Sequence, residues 1–202
     1  MDSNKNFWER VARLYTPLQE KSNRELYDRV IARCRPYLQP RDKVLELGCG
    51  TGQFTFSLCG DCGQWLATDF SPRMVAEGAR RNPGKAQFAV ADATALDFPD
   101  GSFDLVLMAN VLHIMPQPEL ALGEIHRVLR PGGVLLAPTF VYEGHLNRPR
   151  LWVLEKAGFR TFHKWTLEAY SDYIAAHGFA ILEKTLIAGD MLPEGFIAAR
   201  AI

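Results

Sequence analysis

The sequence predicts an α/β fold: a doubly wound, mostly parallel sheet with helices on both faces and an antiparallel hairpin at its C-terminal end. Three observations lead there. Between residues 43 and 141, short aliphatic runs alternate with helical patterns, and the links between them are brief. A glycine-rich turn directly follows the first of those runs. Finally, the last two strand-like runs, 179–187 and 195–201, lie too close in sequence for a crossover helix, so they pair antiparallel.

Each element has its own signal. Residues 5–15 and 22–35 read as helices. In the second, Leu26, Val30, Ile31 and Cys34 recur at helical spacing, and Pro36 and Pro40 end it. Lys43 to Leu47 reads as a buried strand and 53–59 as a helix. A second strand, Trp65 to Thr68, closes on Asp69. Ser71-Pro72 supplies a capping hydroxyl and a first-turn proline for the next helix. Ala86–Ala91 and Phe103–Ala109 are the third and fourth strands. Pro118–Leu129 is a helix with Leu122, Ile125, Val128 and Leu129 on one face. Pro131-Gly132-Gly133 stops that helix and leads into a fifth strand, Val134–Val141. A helix at about 166–176 precedes the hairpin.

The length of 202 residues suits one domain, 1–202. With 48% hydrophobic and 23% charged residues, the chain can fill a core and is not expected to be disordered. The zero net charge argues against a dedicated nucleic-acid binder, which needs surplus Lys and Arg to neutralise phosphates. The charge is unevenly spread, however. Residues 1–41 hold nine Lys/Arg against five Asp/Glu, and residues 144–165 hold five against one. The first ten residues lack an apolar signal-peptide core. The longest smoothly apolar run, Val134–Val141, is far too short to span a bilayer. A cytoplasmic location is expected. Of Cys34, Cys49, Cys59 and Cys62, the last two form a lone C-x-x-C. No second pair or suitably spaced histidine completes a zinc site, so no metal is expected.

The most informative segment is Glu46-Leu47-Gly48-Cys49-Gly50-Thr51-Gly52. Glycines at alternate positions after a strand allow a tight turn and a close backbone approach to a ligand, and the next helix presents its unpaired N–H groups there. The dinucleotide fingerprint would need glycine at position 53, which is Gln53, so a nicotinamide-dependent oxidoreductase is set back. A P-loop would need Gly-Lys-Ser/Thr, which is absent.

Together with Asp69, with Ala91-Asp92-Ala93, and with the stretches Phe98–Val106 and Leu129–Gly133, this loop resembles the class I S-adenosylmethionine-dependent methyltransferases. The likeness is closest to the branch that includes ubiquinone- and menaquinone-biosynthesis enzymes. It is strong over about residues 42–141 and topological over the hairpin. It implies a Rossmann-like, seven-stranded sheet binding S-adenosyl-L-methionine, which leaves as S-adenosyl-L-homocysteine. By the resemblance, Glu46, Gly48, Cys49, Gly50 and Gly52 surround the methionine portion. Asp69, with Phe70 beside it, meets the ribose, Asp92 and Ala93 the adenine, and Asn110 faces the methyl group. Met74 packs on the adenine ring or in the core.

Methyl transfer from a sulfonium is an in-line displacement with a neutral leaving group. The protein must hold two reactants in line, and a base is needed only for a protonated nucleophile. His113 is the first candidate for such a base, with Tyr15 and His163 behind it. The Asn/Asp-Pro-Pro-aromatic motif of nucleobase amino methylation is absent after the fourth strand. Residues 1–41 are expected to form a helical cap and 144–165 a lid, both basic and aromatic at the mouth of the site. They suit a small anionic or amphiphilic acceptor, or transient contact with a membrane surface. Two other readings stay open: a non-catalytic S-adenosylmethionine-binding protein, and a methyltransferase acting on protein or RNA. The cofactor motifs encode neither the acceptor atom nor the oligomeric state.

Overall fold

The computed structural model describes residues 24–82, 84–144, 156 and 160–202. The expected helix at 5–15, Tyr15, and most of the 144–165 segment lie outside those residues. Among the described residues the α-helices and strands follow in order: α1 (Arg24–Cys34), β1 (Lys43–Leu47), α2 (Gln53–Leu58), β2 (Gln64–Asp69), α3 (Pro72–Arg81), β3 (Gln87–Val90), β4 (Phe103–Leu107), α4 (Pro118–Val128), β5 (Leu129–Leu136), β6 (Thr139–Phe140), α5 (Leu167–Ala175), β7 (Phe179–Ile187) and β8 (Glu194–Ala201).

One sheet holds all eight strands, in the order β3-β2-β1-β4-β5-β8-β6, with β7 also paired to β8. β1 to β5 run parallel to one another, whereas β8 runs antiparallel to β5, β6 and β7. The hairpin therefore forms as expected, from Phe179↔Ala201 to Ile187↔Glu194. Its second strand inserts between β5 and β7.

The fifth strand departs from expectation in two ways. It starts at Leu129, before the glycines, and the register jumps from Phe103↔Leu129 to Leu105↔Val134. Residues 130–133 are thus looped out as a bulge, a place where glycine in a left-handed conformation is at home. The strand then breaks at Pro138, which has no N–H to give to the ladder. The chain resumes pairing as β6, where Thr139↔Gly195 and Phe140↔Glu194 lie opposite one another. A sheet expected to have seven strands has eight for this reason.

β1 is buried on both faces, as a central parallel strand must be. Val44 faces a core made with α1 and α2, including Leu26, Val30, Cys34, Phe54 and Leu58. Leu45 and Leu47 face the opposite core, made with α4 and α5, including Leu122, Ile125, Val128, Tyr170 and Ile174. α1 belongs to the first core through Leu26, Tyr27, Val30, Ile31 and Cys34, which form one stripe. Ser71 caps α3 by accepting from Met74 N, and Pro72 opens it. Among the described residues, no helix is long and apolar enough to cross a membrane.

Candidate functional site

The strand order reverses between β1 and β4, which lie side by side at the centre of the sheet. Chains leaving their carboxyl ends diverge and open a crevice, the usual ligand position in such sheets. Two adjoining cavities occupy it, about 230 and 110 Å3. Both are walled by Gly48, Phe70, Val111 and Ile114. The larger extends over Ala91, Asp92, Ala93, Met115 and Leu120. The smaller extends over Cys49, Gly50, Asp69, Met74 and Asn110, with Tyr27 of α1 on its far side.

The glycine loop is shaped by contacts only glycine permits. Gly48 has φ +71°, and a Cβ there would lie 2.3 Å from Val111 Cγ2. Gly50 has φ +54° and would meet nothing within 4 Å, so the outer edge of the loop is open. Asp69 ties the loop to β2: its Oδ2 accepts from Gly50 N at 3.0 Å and its Oδ1 from Ser71 N at 2.9 Å. Burial raises the Asp69 carboxyl, and the two backbone donors oppose that shift. Each oxygen keeps a lone pair for a further donor. At the other end, Asp92 Oδ1 accepts from Thr94 N and Thr94 Oγ1.

The expected cofactor residues Gly48, Cys49, Gly50, Asp69, Phe70, Met74, Asp92, Ala93 and Asn110 all line this crevice. Two others are placed differently. Glu46 points from β1 into the α1–α2 core, 2% exposed, where its Oε2 accepts from Thr55 Oγ1 and Trp65 Nε1. Strand alternation explains this, because Glu46 shares a face with Val44 and not with Leu47. Burial pushes its carboxyl up to about 7, against the pull of those two donors. Gly52 caps α2 with φ +94° and is absent from the cavity walls.

His113 is 2% exposed and bonds Thr139 Oγ1 through Nδ1 at 2.7 Å. Burial, with His163 nearby, holds it at about 3, so it stays neutral at physiological pH. It lines neither cavity. His163 stacks on Trp165, with ring centroids 4.6 Å apart. In the described part of the basic N-terminal segment, Arg33 pairs with Glu183 and Arg35 with Asp61. That part of the positive excess is engaged by the protein's own carboxylates. The thiols of Cys59 and Cys62 are both raised by burial.

Sequence reading missed Glu194. It is 0% exposed at the start of β8, and its carboxyl stands beside the Asn110 amide. Its only signal was alternation: Glu194 is in phase with Phe196 and Ala198, both buried. Asn110 itself has φ +59°, the one non-glycine residue with positive φ among those described. Such a conformation costs free energy and often marks a functional position.

Residues 45–137 match the model of a methyltransferase-domain family. The chain is 43% identical over 102 residues to a demethylmenaquinone methyltransferase of Beutenbergia cavernae, a stretch covering 50% of this chain and 42% of that protein. It is 36% identical over 128 residues to a ubiquinone/menaquinone biosynthesis C-methyltransferase of Teredinibacter turnerae, covering 59% and 49%. The matched stretches thus span about half the length of these relatives or less. Among solved structures, the fold is similar to the methyltransferase in complex with the Trm112 methyltransferase activator of Haloferax volcanii. That likeness has a TM-score of 0.82 at 21% identity, over 96% of this chain and 97% of that one.

Proposed function

We propose, on the premise that residues 45–137 are a class I S-adenosylmethionine-dependent methyltransferase domain of the ubiquinone/menaquinone-biosynthesis type, that the chain is a cytoplasmic enzyme methylating a small anionic or amphiphilic molecule. The observation that carries this reading is the pair of carboxylates, Asp69 and Asp92, set at opposite ends of one crevice whose middle is apolar.

The residues present fit S-adenosylmethionine. Asp69 has lone pairs left for ribose hydroxyls, and Asp92 has its Oδ2 for the adenine amino group. Phe70, Val111, Ile114 and Met115 offer apolar walls to a purine. The open edge at Gly50 leaves backbone within reach of the amino-acid end, and the buried Asn110 Oδ1 lacks a partner among the described residues. The cofactor supplies an activated methyl group when bound. The chain's own work is to hold that group and the acceptor in line and to keep water away. No general base is assigned to His113, since a neutral, buried imidazole bonded to Thr139 does not face the crevice.

Residues 1–41 and 144–165 are proposed as the acceptor's side of the site. The described edge of that region carries Trp165 and Lys164, whose ammonium lies 5.3 Å from the ring centroid of the adjoining Tyr142. Mixed aromatic and cationic surface of this kind suits an amphiphilic anion. The quinone-related names of the relatives point the same way.

The test is calorimetric titration with S-adenosylmethionine and S-adenosylhomocysteine on the wild type and Asp69→Ala. Micromolar binding, weakened at least tenfold in the variant, is expected, a loss of about 1.4 kcal/mol or more. A well-folded wild type that binds neither ligand would overturn the reading. For the acceptor, a KM that does not change with salt would remove electrostatic capture.

A further inference from the structure

The glycine loop, residues 48–52, runs between two side chains that meet. Glu46 lies just before it on β1, and Thr55 just after it in the first turn of α2, behind the Gly52 cap. Thr55 Oγ1 donates to Glu46 Oε2 at 2.5 Å, and Trp65 Nε1, from β2, donates to the same oxygen at 2.8 Å. Strand register sets the second bond: Val44 pairs with Trp65 and Glu46 with Ala67, so the carboxylate and the indole project from one face of the sheet. The backbone adds a link at the other end of β2. Glu46 O accepts from Thr68 Oγ1 at 2.8 Å, and Thr68 O accepts from Cys49 N, inside the loop, at 2.9 Å.

Glu46, Thr55 and Trp65 are all buried, and none of them walls either cavity. Burial opposes the charge of Glu46, while the Thr55 and Trp65 bonds favour it. Apolar side chains of similar volume would fill the same space without the cost of burying a carboxyl group. What they could not do is fix a direction, as a hydrogen bond does. Here the fixed quantity is the position of the first turn of α2 relative to β1 and β2. The loop between them needs that support: Gly48, Gly50 and Gly52 all have positive φ, and glycine backbone has the most conformational freedom to lose when a ligand orders it.

We propose that Glu46 is a positioning residue: its carboxylate clasps α2 and β2 through Thr55 and Trp65, and so holds the glycine loop in its ligand-binding shape without touching the ligand. The identity of that ligand rests on the S-adenosylmethionine reading above. The clasp differs from what the resemblance implies, a Glu46 against the methionine portion, and the two roles give different mutant patterns. Direct contact makes Glu46 matter by itself. A clasp makes Thr55 and Trp65 matter as well, through the same bonds.

The experiment is S-adenosylhomocysteine calorimetry on the full-length wild type, Glu46→Gln, Thr55→Val, Thr55→Ser, Trp65→Phe and the double variant Glu46→Gln/Thr55→Val, each checked for folding by thermal melting. Thr55→Val keeps the volume and removes the donor, and should weaken binding about fivefold, the effect of roughly one hydrogen bond. Thr55→Ser restores the hydroxyl and should bind within about twofold of the wild type. Trp65→Phe removes the second donor and should weaken binding about threefold. The double variant should bind no more weakly than the weaker single one, because both substitutions act on one bond, whereas independent contributions would multiply. The Trp65 indole N–H, followed by NMR and assigned by its loss in Trp65→Phe, should shift when S-adenosylhomocysteine is added to the wild type, although the indole lines neither cavity. Wild-type affinity in Thr55→Val and Trp65→Phe would overturn the proposal, whether Glu46→Gln binds weakly, as direct contact predicts, or the variants merely melt lower, as a purely structural trio predicts. An indole signal that ignores the ligand would overturn it too. Binding that is intact but indifferent to the clasp sinks this inference alone, whereas a folded wild type that binds no S-adenosylhomocysteine sinks the methyltransferase reading and the clasp with it.

Discussion

Glu46 and Glu194 stand on the face of the sheet covered by α1 and α2, fully buried among Cys34, Phe54 and Phe196. The face covered by α4 and α5 is packed from Leu45, Leu47, Val106, Leu122, Ile125 and Ile197, and the hydroxyl of its Tyr170 is paired with Ala137 O. Both faces bury comparable aliphatic side chains, yet only the first carries acids raised to about 7 and 8. A buried acid is a stability cost that an apolar residue of similar size would avoid. Both faces border the crevice, with Tyr27 and Phe54 walling the smaller cavity and Leu47 and Leu120 of α4 the larger, but the α1–α2 face carries the buried acids, whereas the α4–α5 face is packed as an apolar core.

The largest expected effect tests the apolar core of the α4–α5 face. Leu122→Ala, at a position with 0% exposure, should destabilise the protein by about 2–5 kcal/mol in urea unfolding. The loss should be the same at pH 6 and pH 9, roughly the span over which the acids of the other face titrate. A strongly pH-dependent loss would break the contrast between the faces.

Gly48→Ala should come next, at about 2–4 kcal/mol, because it combines a left-handed backbone with a Cβ driven into Val111. It should also abolish S-adenosylhomocysteine binding in calorimetry. Retained binding would show that the loop can open without losing its ligand.

The buried acids themselves predict a pH dependence. In the unfolded chain both ionise near 4.5, while in the folded protein they keep their protons to about 7 and 8. Their favourable contribution is therefore complete below the unfolded value. It falls as pH rises through the folded values and levels off above about 8. Thermal melting across this range should show a decline with rising pH. Glu46→Gln should reduce the slope below about 7, and Glu194→Gln should reduce it throughout and remove it above about 7. An unchanged slope in both variants would place the titrating groups elsewhere.

The smallest effect lies at the edge of the site. Ser71→Ala removes the α3 cap, whose Oγ accepts from Met74 N at 3.4 Å, and should cost about 1 kcal/mol in urea unfolding. A larger loss, with weaker ligand binding, would show that the cap also holds Asp69 in place through the adjoining Ser71 N–H.

Much of this architecture was legible because its signals are local. The alternation of strand and helix, the Ser71-Pro72 start of α3 and the terminal hairpin all follow from residues that are neighbours in sequence. The expected sheet failed at one strand, where Pro138 splits 134–141 into β5 and β6 and the bulge at 130–133 moves the start back to Leu129. In the crevice, glycine spacing and the two aspartates pointed to residues that do line it. Glu46 and His113 carried chemistry by type but sit behind it. For Glu46 the period-two pattern of β1 already held the answer, whereas the burial of His113 against Thr139 depends on a contact across 26 positions.

The sequence by itself determined the succession of elements, the position of the glycine turn and the acids that follow β2 and β3, since backbone propensity and strand periodicity act over a few residues. Only the tertiary structure decided that β8 enters between β5 and β7. That antiparallel insertion carries Glu194 to the carboxyl-end edge of the parallel strands and sets it beside Asn110, 84 positions earlier in the chain. Burial there, away from any cation, makes an ordinary glutamate a weaker acid, a property of packing that no local run of residues contains.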